Sequence, residues 1–248
     1  MKKAIILILV FVTAHAIPLA SRALSECIDY SFINNGAMRQ LFYVFVAYAL
    51  QLALTVVALK LFVSNRLKDA GFNMNNRAQS VTSLRHFMLA WTGILIVFYA
   101  LALIVFPPFL DYLRSFCPPD ALYGVKNAVG GSVLPGLGEE PLYRSFVVLV
   151  LARHWQGDIR IGRLRVSHVS LLCGFIFMTA HVGYTFAPHF EIVHIDALQL
   201  TYTFVLGITW ATVFEKTKSL FAPVLSHIWA NFIQYVLAYV AVFLLFQT

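Results

Sequence analysis

Seven apolar runs, each about as long as a lipid bilayer is thick and separated by short basic or polar segments, constrain this chain more than any other feature. They extend from Ala4 to Ala20, Leu41 to Val63, His86 to Phe106, Tyr123 to Ala152, Val166 to Ala187, Ala197 to Phe214 and Ser219 to Phe246. At about 1.5 Å of rise per residue, some 20 apolar residues of helix cross a hydrocarbon core of about 30 Å. Backbone groups in that core must be satisfied within the segment, so runs of this length read as helices. Composition agrees: 60% of the 248 residues are hydrophobic and 12% are charged, against about a quarter charged in a soluble domain. The expected fold is all-α, a polytopic helical membrane protein with about seven transmembrane helices and a polar cavity inside the bilayer.

The net charge of +7 would suit a nucleic-acid partner only if the positive residues shared a face. They lie between the apolar runs instead, which excludes that class and points to topology. With the N-terminus inside, twelve Lys and Arg fall on the cytoplasmic side, namely Lys2, Lys3, Arg66, Lys68, Arg77, Arg85, Arg153, Arg160, Arg163, Arg165, Lys216 and Lys218. Only four, Arg22, Arg39, Arg114 and Lys126, fall opposite. Cytoplasmic loops collect such residues, so the N-terminus is expected inside and the C-terminus outside. The Lys2-Lys3 start, the short apolar run and the Ala14-His15-Ala16 triplet resemble a signal peptide and hint at a bacterial inner membrane. The apolar character continues to Ala20, which suits a retained helix equally. The chain divides into a signal-like helix (1–20), N-terminal helices and loops (21–122) and a core (123–248).

Three cysteines show neither CxxC nor finger spacing. Cys27 and Cys117 fall in expected outer loops, where an oxidising compartment could join them, whereas Cys173 reads as an ordinary buried residue. The segment Phe106 to Tyr123, with Pro107, Pro108, Pro118 and Pro119, is too broken to span and is expected to lie along the outer surface. No internal repeat is visible, so a repeat-built transporter has no support.

Against this apolar background, Gly136-Leu137-Gly138-Glu139-Glu140-Pro141-Leu142-Tyr143-Arg144 is conspicuous. Ionisable groups at bilayer depth are costly, face a cavity or one another, and mark function. Four glycines and two prolines between Val129 and Pro141 predict a broken helix, with Pro141 opening a new one and the carboxylates at its N-terminus. Glu140 and Arg144 are four apart and can pair on one face, leaving Glu139 turned elsewhere. Adjacency and burial should raise the pKa of at least one carboxylate toward the range useful to a general base. His181 closes Phe177-Met178-Thr179-Ala180-His181, and His227 shares a face with Asn231 in His227-Ile228-Trp229-Ala230-Asn231. Singly, each is a common interhelical hydrogen bonder. Together with an unpaired glutamate they make the set that a water-activating hydrolase needs.

The order EExxxR, FxxxH, HxxxN, each on its own membrane helix, resembles the CAAX protease and bacteriocin-processing family of intramembrane proteases, CPBP or Abi. The resemblance covers about Tyr123 to Phe246. It implies that Glu139 and His181 activate a water, that His227 and Asn231 stabilise the oxyanion, and that Glu140 with Arg144 supports the scaffold. It also implies an endopeptidase acting on a membrane peptide or lipoprotein, such as a prenylated C-terminus, a leader peptide or a C-terminal sorting signal.

For cofactors, two readings stand: none, or one divalent metal such as zinc on Glu139, His181 and His227. Zinc takes about three such ligands and an open position, yet the HExxH arrangement is absent. The metal-free reading uses Glu139 as base and His227 with Asn231 as oxyanion donors. A second, weaker metal candidate is His189 and His194 with Glu191 and Asp196; Lys60 reads as a snorkelling residue. Counting the assumed span ends separates His181 and His227 by about 9 Å along the membrane normal. The alternatives are a non-catalytic bacteriocin-immunity or scaffold protein and a proton-coupled transporter.

Overall fold

The apolar runs fold as helices whose starts are set by polar caps the hydropathy does not reveal. Asn35 accepts from the Met38 N–H, Asp120 from Leu122 and Tyr123, Ser167 from Ser170, and Asp196 from Leu198 and Gln199. Each satisfies donors that a helix start leaves open. The computed structural model describes residues 1–118, 120–162, 164–185 and 191–245. Pro119, Arg163, Ala187, His189 and Phe246, all used above, lie outside them.

In chain order the helices begin with α1 (Lys2–Glu26), α2 (Gly36–Phe62), α3 (Arg77–Val105) and the short α4 (Phe109–Phe116). A continuous helical stretch, 121–152, follows. It contains α5 (Ala121–Val125), a π segment (Lys126–Val133), α6 (Leu134–Glu140), a second π segment (Pro141–Val148) and α7 (Leu149–Ala152). An antiparallel hairpin, β1 (Asp158–Ile161) with β2 (Leu164–Ser167), leads to α8 (His168–Thr179). A second hairpin, β3 (Gly183–Thr185) with β4 (Glu191–His194), precedes α9 (Ala197–Thr217) and α10 (Phe221–Leu245). The protein is an all-α polytopic membrane protein; α1, α2, α3, α9 and α10 are each long and apolar enough to cross a bilayer.

Two expected spans differ. The run Val166 to Ala187 yields only the 12-residue α8, about 18 Å long, bracketed by hairpins. An apolar run sets what can be buried, not where the backbone leaves the helix. His181 consequently sits in the turn after α8 rather than inside a helix. The expected break between Val129 and Pro141 is also corrected, because helical geometry runs through Pro135 and Pro141. Widened π turns, which appear inside α-helices at functional sites, take up the positions where proline offers no N–H. Glu139 and Glu140 are therefore mid-helix, and side chains rather than a helix dipole must balance them.

The 121–152 helix occupies the centre. All eight residues of Pro141–Val148 are buried, Arg144 among them, and Leu142, Tyr143, Phe146 and Leu151 pack in the main core with Phe177, Trp210 and Phe214. By contrast α3 buries only Ser80 and Leu95 and turns Ile94, Val97, Leu101 and Ile104 outward, as lipid requires. Hydrogen bonds fix which loops share an end. Arg153 donates to the Phe62 and Val63 carbonyls, and Asn73 and Asn76 donate to those of Lys218 and Thr217. The loops carrying Arg66, Lys68, Arg153, Lys216 and Lys218 thus gather at one end. At the other, Ser25 donates to the Tyr43 carbonyl and Asn127 to the Tyr239 hydroxyl.

The proline-rich segment does not span: it forms α4, whose Leu113, with the following Cys117, packs against Ala238, Ala241 and Val242 of α10. Cys27 is exposed, Cys117 is buried, and both are free thiols, so the expected disulfide is not formed. Lys60 is exposed at the end of α2. His194 and Glu191 are exposed on β4.

Candidate active site

Glu140 and Arg144 are both fully buried, and their surroundings explain how charge is tolerated there. Arg144 Nε donates to Glu140 Oε2 at 2.8 Å and Nη2 to Oε1 at 3.3 Å. Its Nη1 donates to the Gly207 carbonyl and to Cys173 Sγ, each at 3.1 Å. The guanidinium also lies over the rings of Phe177 and Trp210, 4.9 and 5.6 Å from their centroids, a desolvated cation–π arrangement. A β-carbon on Gly207 would meet the Gly174 backbone at 2.9 Å. Glycines at this crossing let α8 and α9 touch backbone to backbone and bring both acceptors to one guanidinium.

Glu140 does more than the expected i,i+4 pairing. His227 Nδ1 lies 2.9 Å from Glu140 Oε1, so a single carboxylate holds both Arg144 and the histidine ring. Trp210 stacks on that ring at 4.5 Å and 18°. A carboxylate only accepts, so Nδ1 carries the proton and Nε2 is the ring's free nitrogen.

Glu139, one residue away, is only partly buried and faces the opposite way, toward α2. Tyr48 Oη donates to its Oε1 at 2.8 Å, and Gln51 Nε2 donates to the Gly138 carbonyl at 3.1 Å. A β-carbon on Gly138 would come within 2.4 Å of Tyr48 Cδ1, so the glycine admits the ring that anchors the carboxylate.

A cavity of about 300 Å³ joins these pieces. Glu139, His181, His227 and Asn231 all line it, with Tyr48 and Gln51 of α2, Trp210 of α9, and Pro18 and Arg22 of α1. The two histidines separated by span counting thus meet one cavity. The Phe177 ring stands 4.7 Å from His181 and 6.1 Å from His227. His181 Nδ1 donates to the Phe177 carbonyl at 2.8 Å, leaving Nε2 as an acceptor. Asn231 Nδ2 donates to the Gly131 carbonyl at 3.1 Å and keeps one N–H.

Tyr48, Gln51 and Trp210 are wall residues that sequence reasoning did not single out. Gln51, an amide within an apolar run, was the available signal; a tyrosine and a tryptophan carry none. Among the described residues no three His, Cys, Asp or Glu are grouped to hold a metal. His194, Glu191 and Asp196 are not so grouped. Glu139, His181 and His227, the residues of the metal reading, all line the same cavity.

No significant match to the chain was found among curated proteins or solved structures. A family model described as type II CAAX prenyl endopeptidase Rce1-like matches residues 121–233, a stretch that holds the EExxxR, FxxxH and HxxxN residues together. Through that segment the chain is similar to the Rce1-like family of CAAX proteases.

Proposed function

We propose that this integral membrane protein is an intramembrane endopeptidase that hydrolyses a peptide bond of a membrane-embedded, lipidated or C-terminal sorting-signal peptide, using a water activated by Glu139 and His181. The observation that carries the reading is the contrast between neighbours. Glu140 is enclosed by Arg144 and His227, whereas Glu139 lies on the cavity wall with a single side-chain partner, Tyr48.

Two acceptors on one wall, a Glu139 oxygen and His181 Nε2, suit the two hydrogens of a water. Glu139 takes one proton as the water oxygen bonds to the scissile carbonyl carbon, and the carbonyl electrons move onto its oxygen. The remaining Asn231 N–H and His227 Nε2 are the donors for that oxyanion. Because Nδ1 already bears a proton, donation from Nε2 needs the imidazolium, whose charge the Glu140 carboxylate compensates. The C–N bond then breaks and Glu139 returns its proton to the leaving nitrogen. Glu140 and Arg144 orient His227, and Tyr48 orients Glu139. No step requires a metal; full activity after exhaustive chelation is expected, and loss with rescue by zinc would overturn this part.

The gathering of basic loops at one end supports a cytoplasmic N-terminus, and the signal-like start supports a bacterial inner membrane. Comparing membrane-peptide termini in cells carrying wild type, Glu139→Ala or His227→Ala tests the activity. Termini lost in both variants are expected. Identical termini in all three would sink the endopeptidase reading and favour a non-catalytic role.

A further inference from the structure

Beyond the catalytic residues, one wall of the cavity is made of uncharged polar groups that nothing in the protein uses. On α9, Gln199, Tyr202 and Trp210 face the cavity; on α10, Gln234 and Tyr235 do. Among the described residues the two amides and two phenol hydroxyls have no hydrogen-bond partner. Trp210 is 1% exposed and its indole N–H is also unpartnered. That N–H is sealed from the cavity, whereas the four amide and hydroxyl side chains open onto it; an unmade hydrogen bond inside an apolar bundle is costly, so their grouping on one wall suits a polar ligand.

The chemistry and spacing of the wall limit what the ligand can be. Amides and hydroxyls carry no charge, which disfavours an ion and suits other amides. The α9 residues sit at i, i+3 and i+11, one helical face about 16 Å long. From His227 to Gln234 on α10 is about 10 Å. An extended peptide advances about 3.3 Å per residue, so the wall matches about three to five residues. From the chemistry toward the basic-loop end, the way is filled by the fully buried Pro141–Val148 segment. Toward α4 the wall continues to Tyr235, stacked on Phe116 at 5.5 Å.

We propose that the α9–α10 wall is a subsite for peptide backbone, holding about three to five extended residues on the α4 side of the scissile bond through their amide groups, largely irrespective of side chain. The proposal rests on the endopeptidase reading for its place in the reaction, but backbone binding can be measured without turnover.

The test uses the full chain in lipid nanodiscs with Glu139→Gln, so that nothing is cleaved. The probe is an N-acetylated Leu/Ala pentapeptide amide carrying one diazirine leucine. Photocrosslinks are expected on α9 and α10, competed by the unlabelled pentapeptide and not by its backbone N-methylated analogue. Gln199→Leu and Gln234→Leu, close in size to the originals, should each weaken competition about fivefold, as the loss of one ordinary hydrogen bond does. Unchanged thermal melting excludes misfolding as the cause. Equal competition by the N-methylated peptide, or crosslinking unaffected by both substitutions, would overturn the subsite and leave a wall that only wets the cavity. Crosslinking as expected alongside a wild type that cleaves nothing would keep the subsite and remove the endopeptidase reading.

Discussion

Glu139 and Glu140 are adjacent, chemically identical and share one helix, yet they occupy opposite environments. Glu140 accepts from a guanidinium and an imidazole and has no exposure. Glu139 accepts from one phenol and faces an open cavity. Surroundings thus follow from which neighbouring helix each side chain meets: α10 for Glu140, α2 for Glu139. A buried charge with every lone pair engaged is fixed in place; a charge with lone pairs free can move a proton.

The largest effect that would break this contrast is in catalysis. Glu139→Gln should lower cleavage by at least about 10³-fold, the upper range for a proton-transfer group, while leaving expression and melting in detergent unchanged. Comparable losses of activity and abundance in Glu139→Gln and Glu140→Gln would end the division of labour. Next comes stability. Arg144→Ala leaves Glu140 buried without its cation and should cost about 3–5 kcal/mol, the usual penalty for halving a buried pair, read as a drop in thermal midpoint. A smaller effect tests the α2 side. Gly138→Ala drives a methyl into Tyr48 and should destabilise by about 1–3 kcal/mol as overpacking does, with activity falling further than stability explains. Comparable in size, Tyr48→Phe removes one hydrogen bond to a charged group, worth about 1.5–3 kcal/mol. It should reduce kcat about tenfold or more with KM and melting retained; an unchanged kcat would remove Tyr48 from the site.

The half of the contrast on Glu140 was legible in the sequence because charge in an apolar run is rare. Glu139, Glu140, Arg144, His181, His227 and Asn231 could all be picked out as polar residues where lipid would not tolerate them. Tyr48 and Trp210 could not, since aromatics belong in spans, and the Glu140–His227 bond is a long-range contact with no local mark. The helices were visible in the apolar runs, but the length of α8 was not, because the stretch after Thr179 stays apolar while the backbone turns. Glycine and proline around Gly136 read as a break when they instead serve close packing and π turns. Composition alone does not separate those outcomes.

The π segment Lys126–Val133 makes residue count a hidden variable of the site. A π turn holds about one residue more than an α turn, so it acts like a shim in the helix upstream of Glu139. Removing one residue there would let the turn relax to ordinary winding with the phase of Glu139 kept, whereas rewinding the segment as plain α-helix with every residue retained would rotate everything after it by about 100°, the angle per residue of an α-helix. Glu139 and Glu140 would then exchange surroundings with their neighbours although every side chain named above was still present. In this protein the alignment of the chemistry is written in the phase of a helix as much as in the identity of its residues.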